Sequence, residues 1–291
     1  MEIVNEYKKY LLEADKSNNT INAYVTDINL FIKFLDSRGI ELLKTDTINV
    51  MAYIQYLLVQ GKSERSINRI IISLRSFYTF LKSNNYIDDM PKISYKSIKS
   101  SKKIPEILTI DEVDKIINSV ETDNPKGIRD RAILELMYAT GMKVSELINL
   151  ICSDVNLDLS FVKCTDNKSY ERLIPIGRSA CSAIENYLEI RGNIALSKVD
   201  NLFVNLNGNK LTRQGIWRIV KEYSEKAEIK KDVNLNTFRH SFAVHMLQNG
   251  ANVRAVQKML GNQVLTYMDT YYEIINSDKI NFIYRNTHPR A

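Results

Sequence analysis

Two stretches near the start of the chain carry one apolar spacing twice over. In NNTINAYVTDINLFIKFLDSRG, residues 18–39, the apolar side chains are Ile21, Tyr24, Val25, Ile28, Phe31, Ile32 and Leu35. In ERSINRIIISLRSFYTFLKSNN, residues 64–85, Ile67, Ile70, Ile71, Leu74, Phe77, Tyr78 and Leu81 repeat the same offsets of 0, 3, 4, 7, 10, 11 and 14. A strand repeats every second residue, whereas these offsets line one side of an α-helix. Between them, TINVMAYIQYLLVQG predicts a third helix that stops at Gly61, and the opening residues predict a fourth. The first 91 residues therefore read as a four-helix unit with short connections.

Beyond residue 104 the pattern is mixed. TIDE at 109–112 is a capping box, with Thr109 as N-cap and Glu112 at the third helical position. A long helix runs through RDRAILELMYAT to Gly141. SFVKCT and ERLIPIG are short β-type runs around the polar DNKSY, a hairpin signal. Helices follow over about 178–191, 212–228, 237–249 and 252–260.

The net charge of +6 hints at a polyanionic partner, and its distribution says more. Residues 1–91 hold 11 Lys/Arg against 11 Asp/Glu, and residues 104–291 hold 24 against 23. The stretch KISYKSIKSSKK at 92–103 supplies five Lys and no acid. It lies between Pro91 and Pro105 without helical periodicity, and reads either as a solvated linker or as a segment lying along phosphates. No apolar run approaches the roughly 20 residues of a membrane span, and the charged N-terminus does not read as a signal peptide. Cys152, Cys164 and Cys181 lack metal-ligand spacing and read as small buried residues in a reducing cytoplasm, with no metal site.

The corner ATGMKVSEL, residues 139–147, leaves a question open. Gly141 reads as the left-handed residue that ends a helix. Lys143 is then either a solvated turn residue or a charge presented to an anion.

Three separated stretches decide how that corner is read: ATGMKVSELINL, LNTFRHSFAVHMLQNGANVRAVQKMLGN and TYYEI. In this order, together with ERLIPIG and the terminal HPRA, the chain resembles the tyrosine recombinase/integrase family, and within it the Xer type, along its whole length. The resemblance implies a mainly α fold with a small β-sheet. A SAM-like core-binding domain would span 1–91 and a Lys-rich linker 92–104. A mixed α/β catalytic domain would span 105–291, and the two domains would clamp a duplex. It also implies strand exchange without a cofactor: a Tyr hydroxyl attacks a phosphodiester, leaving a 3′-phosphotyrosyl link and a free 5′-hydroxyl. Family members support this with two Arg, a Lys that protonates the leaving oxygen, and His or His/Trp donors.

Carried over by position, the nucleophile falls on Tyr271, with Tyr272 as the neighbouring register. The second Arg falls on Arg239, which is present, and the first on Lys143. The two His positions fall on Asn236 and Asn262. The hairpin Lys falls on Asn167, with Lys168 one step along. Lys is a point charge where Arg is a planar fork, and Asn cannot change protonation near neutral pH, so the resemblance implies an altered active site. His240 and His245 read as residues that pack or bond within their domain, and His288 as a solvated tail residue.

For DNA contacts the resemblance points to Asn18, Thr20, Arg65, Asn68 and Arg213, with Lys99, Lys102 and Lys103 near phosphates. The expected partner is double-stranded DNA, bound by a tetramer on two sites or together with a partner recombinase. The apolar INFIYRNTH would dock on a neighbouring subunit or fold back on its own. Two functions stay open: an enzyme that cuts DNA through Tyr271, and a weak or inactive homologue kept for site recognition or for nicking in element transfer.

Overall fold

The structure is a computed structural model that describes residues 2–93, 105–166, 169–196, 198–261 and 271. The chain divides into two compact units, Met1–Lys103 and Ile104–Ala291.

Among the described residues, the first unit holds four α-helices: α1 (Glu2–Glu13), α2 (Asn18–Asp36), α3 (Thr47–Val59) and α4 (Glu64–Ser83). All seven stripe residues of α4 are buried, because α4 packs against each of the other three helices. On α2 only Ile21, Ile28, Phe31 and Leu35 of the stripe are buried, while Tyr24, Val25 and Ile32 pack at the core's margin. Burying such a side chain contributes about 1.5–3 kcal/mol, so the α4 stripe carries much of this unit's stability. Ser17, Asp46 and Ser63 cap α2, α3 and α4 with side-chain oxygens on free backbone N–H groups.

The second unit contains α5 (Ile110–Asn118), α6 (Pro125–Thr140), α7 (Val144–Asn149), β1 (Val155–Asn156), β2 (Phe161–Thr165) and β3 (Glu171–Pro175). Helices α8 (Arg178–Ile194), α9 (Arg213–Lys226), α10 (Leu235–Gln248) and α11 (Val253–Leu260) follow. The capping box at the start of α5 forms in both directions, at 3.1 Å and 2.7 Å. Helix α6 is buried on most of its circumference and packs on α8 and α10. The strands form an antiparallel sheet in the order β1-β2-β3, with Val162, Cys164, Arg172 and Ile174 on the buried face. Strand β1 was not expected, since two residues carry no alternation to detect.

Of the three cysteines only Cys164 is fully buried, and burial pushes its thiol up to about 12. Cys152 and Cys181 are half-buried, which corrects the expectation for those two. Among the described residues no helix is long and apolar enough to cross a membrane.

Candidate active site

The corner at residues 139–147 is where four parts of the second unit converge. Helix α6 ends at Thr140, and Gly141 takes φ 56°. A Cβ on Gly141 would also lie 2.4 Å from Phe242 Cδ1 on α10, so backbone and packing both demand glycine. Lys143, half-buried, is the N-cap residue of α7, and its backbone N–H donates to Glu146 Oε2 at 2.8 Å.

Glu146 is held from the sheet side. Arg172 on β3 donates to it twice, Nη2 to Oε2 at 2.7 Å and Nη1 to Oε1 at 3.1 Å. Both side chains are buried, and Arg172 Nε donates to the Met259 carbonyl at 2.7 Å. Such a fork locks two elements in one orientation. Arg239 on α10 closes the arrangement: Nη1 donates to Gly141 O and Nη2 to Leu260 O, each at 2.7 Å. These bonds occupy two of its five N–H groups. Burial draws the Arg239 guanidinium below its usual range, against the opposing pull of Glu146 and Tyr271.

Tyr271 is buried in a cluster with Phe242, Val244, Val256 and Leu260. Its Oη lies 2.6 Å from His240 Nδ1, with the rings edge-to-face at 61° and centroids 5.8 Å apart. Burial first, and the Arg239 charge second, lower the His240 imidazole to about 4. His240 is therefore neutral at pH 7. A phenol on a neutral imidazole beside a buried guanidinium can supply a nucleophile, an acceptor for its proton and positive charge for an anion.

The remaining expected residues divide. Asn236 is exposed on the first turn of α10 and lines a concavity of about 420 Å³ with Arg213, Gln214, Trp217, Asn234 and Leu235. Arg213, expected to meet DNA, thus shares a surface with Asn236. In the first unit, Asn18 and Thr20 lie in the first turn of α2, and Arg65 and Asn68 near the start of α4. Arg69 on α4 reaches the Ala23 carbonyl of α2 at 3.4 Å, so these two helix starts are neighbours. Asn167, Lys168, Asn262, Tyr272, His288 and the linker residues Lys99, Lys102 and Lys103 lie outside the described residues.

Two features escaped the sequence reading. Arg172 alternates in phase with buried Ile174, whereas Leu173 is 61% exposed, so the strand's core face carries the charge and its outer face the leucine. A charge in the buried phase of a strand signals a buried partner, and Glu146 is that partner. His240 had been expected to bond within the domain, and it does, but on Tyr271, 31 residues away. No spacing rule reaches that far. His245 also bonds internally, to Tyr138 Oη and Leu108 O, each at 2.9 Å.

Residues 106–277 match the phage integrase family, and residues 4–85 match the phage integrase N-terminal SAM-like domain. The tyrosine recombinase XerD of Halalkalibacterium halodurans is 38% identical, covering 100% of both chains. That of Listeria innocua is 35% identical, covering 100% of this chain and 99% of the relative. Among solved structures, the XerH site-specific recombinase in its post-cleavage complex with a palindromic difH substrate aligns with a TM-score of 0.77 at 20% identity. That alignment covers 91% of this chain and 79% of XerH. The XerA recombinase aligns over 100% of both chains with a TM-score of 0.57 at 25% identity. With a family match over most of its length and relatives of the Xer type end to end, the chain belongs to the phage integrase family of tyrosine recombinases.

Proposed function

We propose that this protein recombines duplex DNA at specific sites, with Tyr271 as the nucleophile that forms the 3′-phosphotyrosyl link. The observation that carries the reading is the Tyr271 hydroxyl 2.6 Å from His240 Nδ1, next to the residue Arg239 that joins the corner to the end of α11. The end-to-end likeness to XerD recombinases favours this over a role in site recognition alone.

Arg239 takes the phosphate with the N–H groups its two carbonyl bonds do not use. Lys143 adds a point charge where a fork would serve better. Asn236 and Asn262 donate hydrogen bonds without moving protons, and Lys168 is the candidate to protonate the leaving 5′-oxygen. This set makes cleavage slower than a site with two Arg and two His, since one preorganised donor commonly contributes about 10²–10³ in rate. Asn18, Thr20, Arg65 and Asn68 face the DNA groove from the first unit, Arg213 from the second. Lys99, Lys102 and Lys103 lie along phosphates. The reaction needs no cofactor, and the assembly on DNA is a tetramer, alone or with a partner recombinase. If residues 278–291 join the subunits, deleting them removes cooperative binding while single-site binding persists.

The test uses a duplex that the protein itself selects from a random pool, carrying a 5′-bridging phosphorothioate at successive positions. Its sulfur leaves without protonation and so isolates the attack step. Wild type is expected to accumulate a covalent adduct, Tyr271→Phe none, and Arg239→Ala far less. A protein that binds its selected duplex and yields no adduct at any position is a binding protein, and the proposal fails.

A further inference from the structure

We infer that His240 is the residue that accepts the Tyr271 proton during attack, a role that rests on Tyr271 being the nucleophile. The geometry comes first. With the ring proton on Nε2, the Nδ1 lone pair of a neutral imidazole lies in the ring plane, and Tyr271 Oη is 2.6 Å from that nitrogen with the rings edge-to-face. This is the distance at which a general base takes a proton directly, without an intervening water. His240 sits on α10 immediately after Arg239, so the helix that aims a guanidinium at the phosphate also holds the base for the nucleophile.

The surroundings fit the assignment. Among the described residues, the charged group that acts on His240 is Arg239, and those that act on Arg239 are Glu146 on α7, Cys164 on β2, Arg172 on β3 and Tyr271. Burial and the neighbouring Arg239 keep the imidazole unprotonated down to about pH 4, so its acceptor is available throughout the neutral range. Neither Asn236 nor Asn262 can receive a proton. A base with so low an affinity is weak toward a resting phenol. It becomes adequate as the Oη–P bond forms and the hydroxyl turns strongly acidic.

The step balances. The Tyr271 Oη–P bond forms and the P–O5′ bond breaks. The phenolic proton passes to His240 Nδ1, giving an imidazolium. The 5′-oxygen departs with its electron pair and takes the proton assigned above to Lys168. Rejoining reverses each transfer, and the imidazolium returns its proton to the tyrosine oxygen.

The test compares three full-length proteins on the selected phosphorothioate duplex, each first shown to bind it as wild type does. His240→Phe keeps an edge-to-face ring and removes the acceptor. His240→Asn offers an oxygen near the Nδ1 position that accepts a hydrogen bond and cannot take a proton. Both are expected to form adduct about a hundredfold more slowly than wild type. Their rates should also rise about tenfold per pH unit between pH 6 and 9, because attack then needs phenolate, while wild type stays nearly flat. A merely structural role would not change the pH slope. Wild-type speed in His240→Asn would mean that His240 only orients the hydroxyl, and would overturn the inference. Faster adduct formation in His240→Phe would mean that it restrains Tyr271, and would overturn it too. Adduct that persists in Tyr271→Phe refutes the nucleophile itself, a separate failure.

Discussion

The two units bury charge in different ways. In the first, Asp27 on α2 is 1% exposed, but its partner Arg69 on α4 keeps 45% of its side chain in solvent. Ser73 supplies a second bond to the same carboxylate at 3.1 Å. In the second unit both members of the Glu146–Arg172 pair are buried, as are Arg129, Asp130 and Arg239. An ion pair with one wet end can lose a partner and let water take its place. A pair with two dry ends cannot, so it is a stronger constraint on position than on stability. The first unit keeps its shape through apolar stripes; the second spends buried charge on fixing a corner.

The largest effect expected from that contrast is on Glu146→Gln. It leaves the buried Arg172 without its paired carboxylate, and should cost about 3–5 kcal/mol of the second unit's stability in urea unfolding. Asp27→Asn in the first unit should cost only about 1–2 kcal/mol, because Arg69 turns to solvent. Equal losses in the two variants would break the comparison. Next comes Arg239→Ala, which should slow adduct formation on the activated duplex by about 10²–10³. It also strips the Gly141 and Leu260 carbonyls of their donors, so a lowered melting temperature should accompany the lost rate.

Acid should separate the units as well. The His240 side chain titrates near 6.5 when unfolded and near 4 when folded. Between those values the unfolded chain binds more protons, so stability rises with pH across the window and falls as pH drops through it. That amounts to about 3 kcal/mol from His240, and the lowered His245 acts in the same direction. His240→Phe should flatten the slope. Residues 1–103 contain no histidine, and burial raises the Asp27 carboxyl above its usual value despite Arg69. This group stabilises the first unit at low pH and loses that contribution as pH rises, the opposite sense. Melting both units between pH 4 and 7 checks the pair of signs. Smaller again is Lys143→Arg, which should speed cleavage of ordinary duplex by about tenfold, or about 1.4 kcal/mol, if the corner meets phosphate as a fork. An unchanged rate would place Lys143 away from the phosphate. Replacing Lys99, Lys102 and Lys103 by Ala should each flatten the salt dependence of duplex binding by about one log–log unit.

How much of this could be read from the chain follows the same divide. The α4 stripe predicted a helix and its buried face together, because helix period and burial are one observation there. The capping box at Thr109 and the helix end at Gly141 rest on chemistry within a few residues and were equally readable. Glu146–Arg172 joins side chains 26 positions apart across a strand and a helix. Only Arg172's phase within β3 hinted at it. The contact of His240 with Tyr271 depends on how α10 is set against a residue beyond α11, and local pattern holds no record of that. The family resemblance located Arg239 and Tyr271 by position, while the hydrogen bonds that say what each does came from the fold.

The most direct measurement is the identity of the residue that carries DNA. The adduct formed on the phosphorothioate duplex would be digested with nuclease and trypsin, and the modified peptide sequenced by mass spectrometry. The expected nucleotide remnant is on Tyr271 and disappears in Tyr271→Phe. A remnant on Tyr272 instead, or a duplex bound at its selected site with no modified peptide, would contradict the assignment of Tyr271 as the nucleophile.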